Sequence, residues 1–136
     1  MTDLAQLKAK LSSSDGQVRN EAALEIMDAN SEAGFALLIP EVLAPKDQRN
    51  YGTLVYAMSG FNCEGHVDTL IELMRRDNFE VFNTASDILV DQWNGFTKET
   101  KKTVLSSIDR IISESLSSDE VEFFTSIQEQ LTTENV

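Results

Sequence analysis

One cysteine and one histidine stand three residues apart in this chain, Cys63 and His66. That is the spacing of half a zinc site, or of a thiol beside a base. A structural zinc takes four N or S ligands, and no further Cys or His exists to complete the set. A nucleophilic thiol needs a base and a third group to orient it, and the sequence names no third group. Both residues are therefore expected to be structural, Cys63 as a small apolar thiol at a helix junction and His66 capping the next helix or facing water. The 23 acids supply carboxylate pairs by chance, so none stands out as a hydrolytic pair. There is no Gly-rich phosphate loop, G-x-S-x-G or H-E-x-x-H motif. The expectation is a non-enzyme with no catalytic residue, metal or cofactor.

The elements that carry these residues read as helices. Leu4, Leu7 and Leu11 recur at three and four residues, as do Leu70, Leu73 and Met74, and Val104, Ile108, Ile111 and Ile112. Thr2 or Asp3, Asp15 and Thr97 suit helix starts, and Ser117 to Glu120 has capping-box spacing. The pattern predicts about eight helices, at 3–12, 16–29, 33–43, 47–59, 65–75, 79–92, 97–115 and 118–132, in one all-α domain over 1–136. The N-terminal MTDLAQLKAKL is polar-amphipathic, unlike a signal peptide, and no apolar run approaches the roughly 20 residues of a membrane span. A cytoplasmic protein, monomeric when free and without a membrane partner, is expected.

The net charge is −12 and uneven: residues 1–62 hold 8 acids and 5 bases, residues 63–136 hold 15 acids and 6 bases. Phosphate backbones are bound by Lys and Arg, so no nucleic-acid partner is expected, whereas an acidic surface favours basic proteins.

Three stretches align: V-R-N-E-A at 18–22, Q-R-N-Y-G at 48–52 and V-F-N-T-A at 81–85. Asn20, Asn50 and Asn83 are followed two residues on by Ala22, Gly52 and Ala85, a shared small position where helices could approach closely. The unit is helix, turn, helix, repeated three times, with the last two helices as an atypical capping unit. "LSSSDGQVRNEAALEI" resembles a HEAT repeat, whose second helix commonly opens D-x-x-V-R-x-x-A-A. The later units depart from it, with Gln48 in place of valine and Phe82 in place of arginine. The resemblance covers about 3–92 and implies a right-handed HEAT-like α-solenoid whose second helices line a concave face. The run "YGTLVYAMSGFNCEGHVDTLIELMRRDNFEVFNTASDIL" at 51–89 is similar to small bacterial HEAT-like immunity proteins of contact-dependent growth inhibition and related polymorphic toxin systems.

On the second helices, Glu21, Glu25 and Asp28 make one acidic stripe, and Glu80, Thr84, Asp87 and Asp91 make another. The helix between them aligns Asp47, Tyr51, Val55 and Met58 with these positions, putting aromatic and apolar groups where its neighbours put acids, which would give an apolar centre with a charged rim, the layout of many protein interfaces. The expected partner-binding residues are Glu21, Glu25, Asp28, Tyr51, Asp87, Asp91 and Trp93. Together with the resemblance they imply an immunity protein that occludes a basic toxin domain, such as a nuclease. The alternatives are a non-inhibitory HEAT-repeat adaptor and, third, an enzyme using Cys63 and His66.

Overall fold

The computed structural model describes residues 3–134 and is all-α, with eight α-helices. They are α1 (Leu4–Leu11), α2 (Gly16–Ala29), α3 (Glu32–Leu43), α4 (Gly52–Ala57), α5 (Val67–Met74), α6 (Phe79–Gln92), α7 (Lys98–Glu114) and α8 (Ser118–Glu134). Short polar side chains start most of them. Asp3 accepts from the Ala5 amide at 2.9 Å, Asp15 from Gln17 at 2.9 Å, Ser31 from Gly34 at 2.9 Å and Thr97 from Thr100 at 3.2 Å. Each satisfies one of the amide donors that a helix N-terminus leaves open. Thr2, the other expected first cap, lies outside the described residues. Asn30 ends α2 in the left-handed region, at φ 51, a conformation asparagine tolerates better than most residues.

The helices pack by alternation. α2 lies against α4, α4 against α6 and α6 against α8, while α1 lies against α3 and α3 against α5. Within the pairs, α1 meets α2, α3 meets α4, α5 meets α6 and α7 meets α8. One buried apolar cluster runs from Leu7 on α1 to Leu131 on α8. Among the described residues, no helix is long and apolar enough to cross a membrane.

The fourth helix departs from expectation. It begins at Gly52, not near Asp47, and runs into a 3₁₀ turn over Met58–Gly60. The Asp47 carboxylate instead accepts from the Arg49 amide at 3.0 Å and from Asn50 Nδ2 at 3.4 Å. This local turn competes with helix formation. These bonds, the Arg49 amide foremost, hold the Asp47 carboxyl below its usual pKa. Residues further along complete the segment: Asn78 Nδ2 donates to the Gln48 carbonyl at 3.0 Å, and Arg76 Nη2 to that of Leu43 at 2.9 Å.

Gly52 therefore opens α4, whereas Ala22 and Ala85 sit in helix interiors, so the three do not share one register. A Cβ on Gly52 would meet the carboxylate of Glu80, an exposed and movable side chain. Gly52→Ala should cost less than about 1 kcal/mol, and less still in a Glu80→Ala background. Gly52→Leu should overpack the buried site by about 1–3 kcal/mol. Denaturant melts of the three variants check this, and equal stability for Leu and Ala at position 52 would refute it.

Candidate functional site

Cys63 and His66 do not meet as a pair turned towards a shared pocket. The Cys63 thiol is buried and donates towards the carbonyls of Met58 (3.3 Å) and Phe61 (3.5 Å). Its backbone amide donates to Gln92 Oε1 at 2.8 Å. The His66 ring stands edge-on to Phe35 at 5.1 Å, and Phe35 in turn stacks on Phe61 at 4.4 Å. Burial pushes the thiol up from 9.0 to about 11, with the Gln92 side chain opposing. The thiolate is the form that attacks carbon or binds metal, so this thiol is held in its unreactive form at neutral pH.

A pH dependence follows from that shift. The unfolded chain releases the thiol proton first as pH rises, so this contribution is intact below about 9 and is lost as pH climbs towards about 11. The loss should be on the order of 2–3 kcal/mol. Urea melts near pH 8 and near pH 10.5 should show a steeper alkaline loss for the native chain than for Cys63→Ala. Parallel losses would refute it.

The carboxylates define a different feature. α2, α4, α6 and α8 together carry a single basic residue, Arg19. Arg19 is buried and donates through Nη1 to the Ser13 carbonyl at 2.7 Å. The same four helices expose Glu21, Glu25 and Asp28 on α2, Glu80, Asp87 and Asp91 on α6, and Asp119, Glu122 and Glu129 on α8. The helical bases other than Arg19 lie on α1 and α7: Lys8, Lys10, Lys98, Lys101, Lys102 and Arg110. The exposed helical bases are thus confined to α1 and α7, whereas acids also occur on α3, α5 and α7.

Few of these acids are neutralised within the chain. Glu25 faces Lys10 Nζ at 3.9 Å, and Glu21 accepts from Gln17 Nε2 at 3.3 Å. Asp28, Asp87 and Asp91 make no hydrogen bond or ion pair with the described residues. Like charges gathered on one face repel one another, and a cationic partner relieves that repulsion.

The two aromatic residues expected on this face are in the core. Tyr51 is 3% exposed and Trp93 is 1% exposed. Tyr51 precedes the first turn of the shortened α4, and its hydroxyl lies 3.5 Å from Arg76 Nη1. Trp93 falls in the 3₁₀ turn after α6, Trp93–Gly95, edge-on to Phe96 at 6.2 Å and with Lys101 Nζ 5.7 Å from its ring centre. Val55 and Met58, the other members of the expected apolar centre, are also buried.

α4 instead presents Tyr56, 51% exposed. It lies between the buried pairs Leu54/Val55 and Ala57/Met58, as Asp87 lies between Ala85/Ser86 and Ile88/Leu89. On α2 two exposed residues, Leu24 and Glu25, lie between the buried Ala23 and Ile26, and the alignment of Ala22 with Ala85 puts Leu24 in register with Asp87. Since α4 packs against both α2 and α6, an exposed tyrosine sits in the helix flanked by the two acidic stripes. The sequence carries no signal that singles out Tyr56, since L-V-Y-A-M is apolar on both sides of it. This arrangement can bind a basic, partly apolar protein surface: tyrosine supplies broad contact area at small entropic cost and carboxylates steer the approach.

Compared with protein-family models, with curated proteins and with solved structures, the chain has no match in any of the three.

Proposed function

We propose that this chain is an immunity protein, which binds a cognate toxin domain stoichiometrically and occludes it without performing chemistry. The observation that carries the reading is the acidic layer of α2, α4, α6 and α8, with its one base buried and Tyr56 at its centre. Enzymes that act on nucleic acid present Lys and Arg to phosphates, so a nuclease is the class of toxin this face complements best. We further propose that the helix pairs form a right-handed HEAT-like solenoid. The alternating contacts of α2, α4, α6 and α8 on one side and of α1, α3 and α5 on the other support it. The second helices then line the concave face, which holds Glu21, Glu25, Asp28, Asp87 and Asp91.

The test is genetic and biochemical. The C-terminal domain of whatever protein is encoded immediately upstream of this chain's gene is expressed with and without it. The expected result is growth arrest by that domain alone, rescue by this chain, and a one-to-one complex in solution. Rescue without a complex, or a complex without rescue, refutes stoichiometric inhibition. The second outcome would make the chain an adaptor.

A further inference from the structure

Away from Tyr56, a cleft of about 420 Å³ opens where the α5–α6 turn meets the start of α8. Its walls are aromatic. Phe79, the first residue of α6, is 71% exposed and Phe123 is 45% exposed. Phe82, half-buried, packs on Phe123 with ring centres 4.9 Å apart. Apolar surface gathered in a concave patch marks an interaction site far better than isolated exposed residues do.

The charges around the cleft decide what it accepts. Arg75 is already matched, donating through Nε and Nη2 to the two Glu120 oxygens at 2.9 and 3.1 Å. Glu120 also accepts from Ser115 Oγ at 2.6 Å. Arg76 is turned inward to the Leu43 carbonyl. Left at the rim are Asp77 and Asp119, with Glu80 and Glu122 beside Phe79 and Phe123 in sequence. None of these four carboxylates has a hydrogen bond or ion pair with the described residues, and neither α6 nor α8 contains a base. A second copy of this chain would bring the same acids face to face.

We infer that the cleft seats an amphipathic segment of a protein partner, with one bulky apolar side chain between Phe79 and Phe123 and Lys or Arg on both sides, facing Asp77 and Asp119. This deepens the reading above and rests on it in taking the partner to be basic. It adds a second anchor point, distinct from Tyr56.

The probe is a short synthetic amphipathic peptide of Lys, Leu and Trp, with a Glu, Leu and Trp analogue as comparison. Binding is followed by backbone amide shifts of the isotope-labelled chain. The expected result is saturable binding of the lysine peptide, with shifts concentrated at residues 74–82 and 117–124. Affinity should fall at least about tenfold in Phe79→Ser and in Phe123→Ser and stay unchanged in Tyr56→Ala. Phe79 is exposed enough for its replacement to leave the fold intact, which circular dichroism verifies. Equal binding to Phe79→Ser, equal binding of the glutamate peptide, or shifts centred on Tyr56 would each overturn the inference. So would a concentration-dependent dimer that Phe79→Ser abolishes, since the occupant would then be a second copy. Failed peptide binding with intact rescue overturns the cleft alone, and failed rescue with intact peptide binding overturns the toxin reading alone.

Discussion

Replacing Trp93 with alanine should lower stability by about 3–5 kcal/mol, the range for deleting a fully buried large aromatic. Against a total of roughly 5–15 kcal/mol for a domain, that is the largest loss expected from any substitution considered above. The indole sits in the core at the end of α6, packed on Phe96 and spanned by Lys101. Its Nε1–H is buried with no acceptor among the described residues. An unsatisfied buried donor costs about 1–3 kcal/mol, so Trp93→Phe, which removes the donor and most but not all of the volume, should be much milder than Trp93→Ala. Because Trp93 is the only tryptophan, the variants are followed by helical circular dichroism rather than by emission. An alanine variant as stable as the native chain would contradict the core placement. It would return Trp93 to the partner-binding role expected from the sequence.

The largest effect on function is expected at the opposite kind of site. Tyr56→Ala should leave the melting curve nearly unchanged, since half of its side chain already faces solvent, yet weaken binding to the toxin domain by about 2 kcal/mol or more. The loss should appear mainly as faster dissociation, because an anchor acts after encounter. Asp28→Lys with Asp91→Lys should act the other way, slowing association, with the defect shrinking as salt rises. Glu32→Lys with Asp68→Lys, on α3 and α5, changes net charge equally away from the face and serves as the control. Binding kinetics at two salt concentrations separate these cases. If the control pair slows association as much as the pair on the face, only overall charge matters. A Tyr56→Ala variant that binds normally would place the partner elsewhere.

Much of the helical framework could be read from the sequence because its signals are local. Asp15, Thr97 and Ser117 cap the helices they precede, and α2 and α6 start and end where the apolar spacing places them. α4 could not be read this way. Its start is set by the Asp47 turn and by Arg76 and Asn78, which lie about one repeat further along and leave no trace in the local pattern. The same helix is apolar on nearly every side, so periodicity assigns it no phase. Only its contacts with α2 and α6 turn Tyr56 outward and Tyr51 inward. The acidic residues were legible because a carboxylate without a buried partner stays in water, although the charged Arg19 on α2 is buried against the Ser13 carbonyl. Which aromatic side chain stands among them depends on the neighbours entirely.

The irregular segment between α3 and α4 also has a consequence for synthesis. α1, α2 and α3 carry their own caps, so each can close its first turn as soon as it leaves the ribosome. The link that follows has no such autonomy: the carbonyls of Leu43, Gln48 and Arg49 are answered by Arg76 and Asn78. A nascent chain cut short before Arg76 leaves those carbonyls to water even though α5 is already present to lie against α3. One that has emerged past Asn78 can lock the link and seat α4. The link between α3 and α4 is thus completed by residues of the α5–α6 turn, and those bonds can form only once that turn has been synthesised.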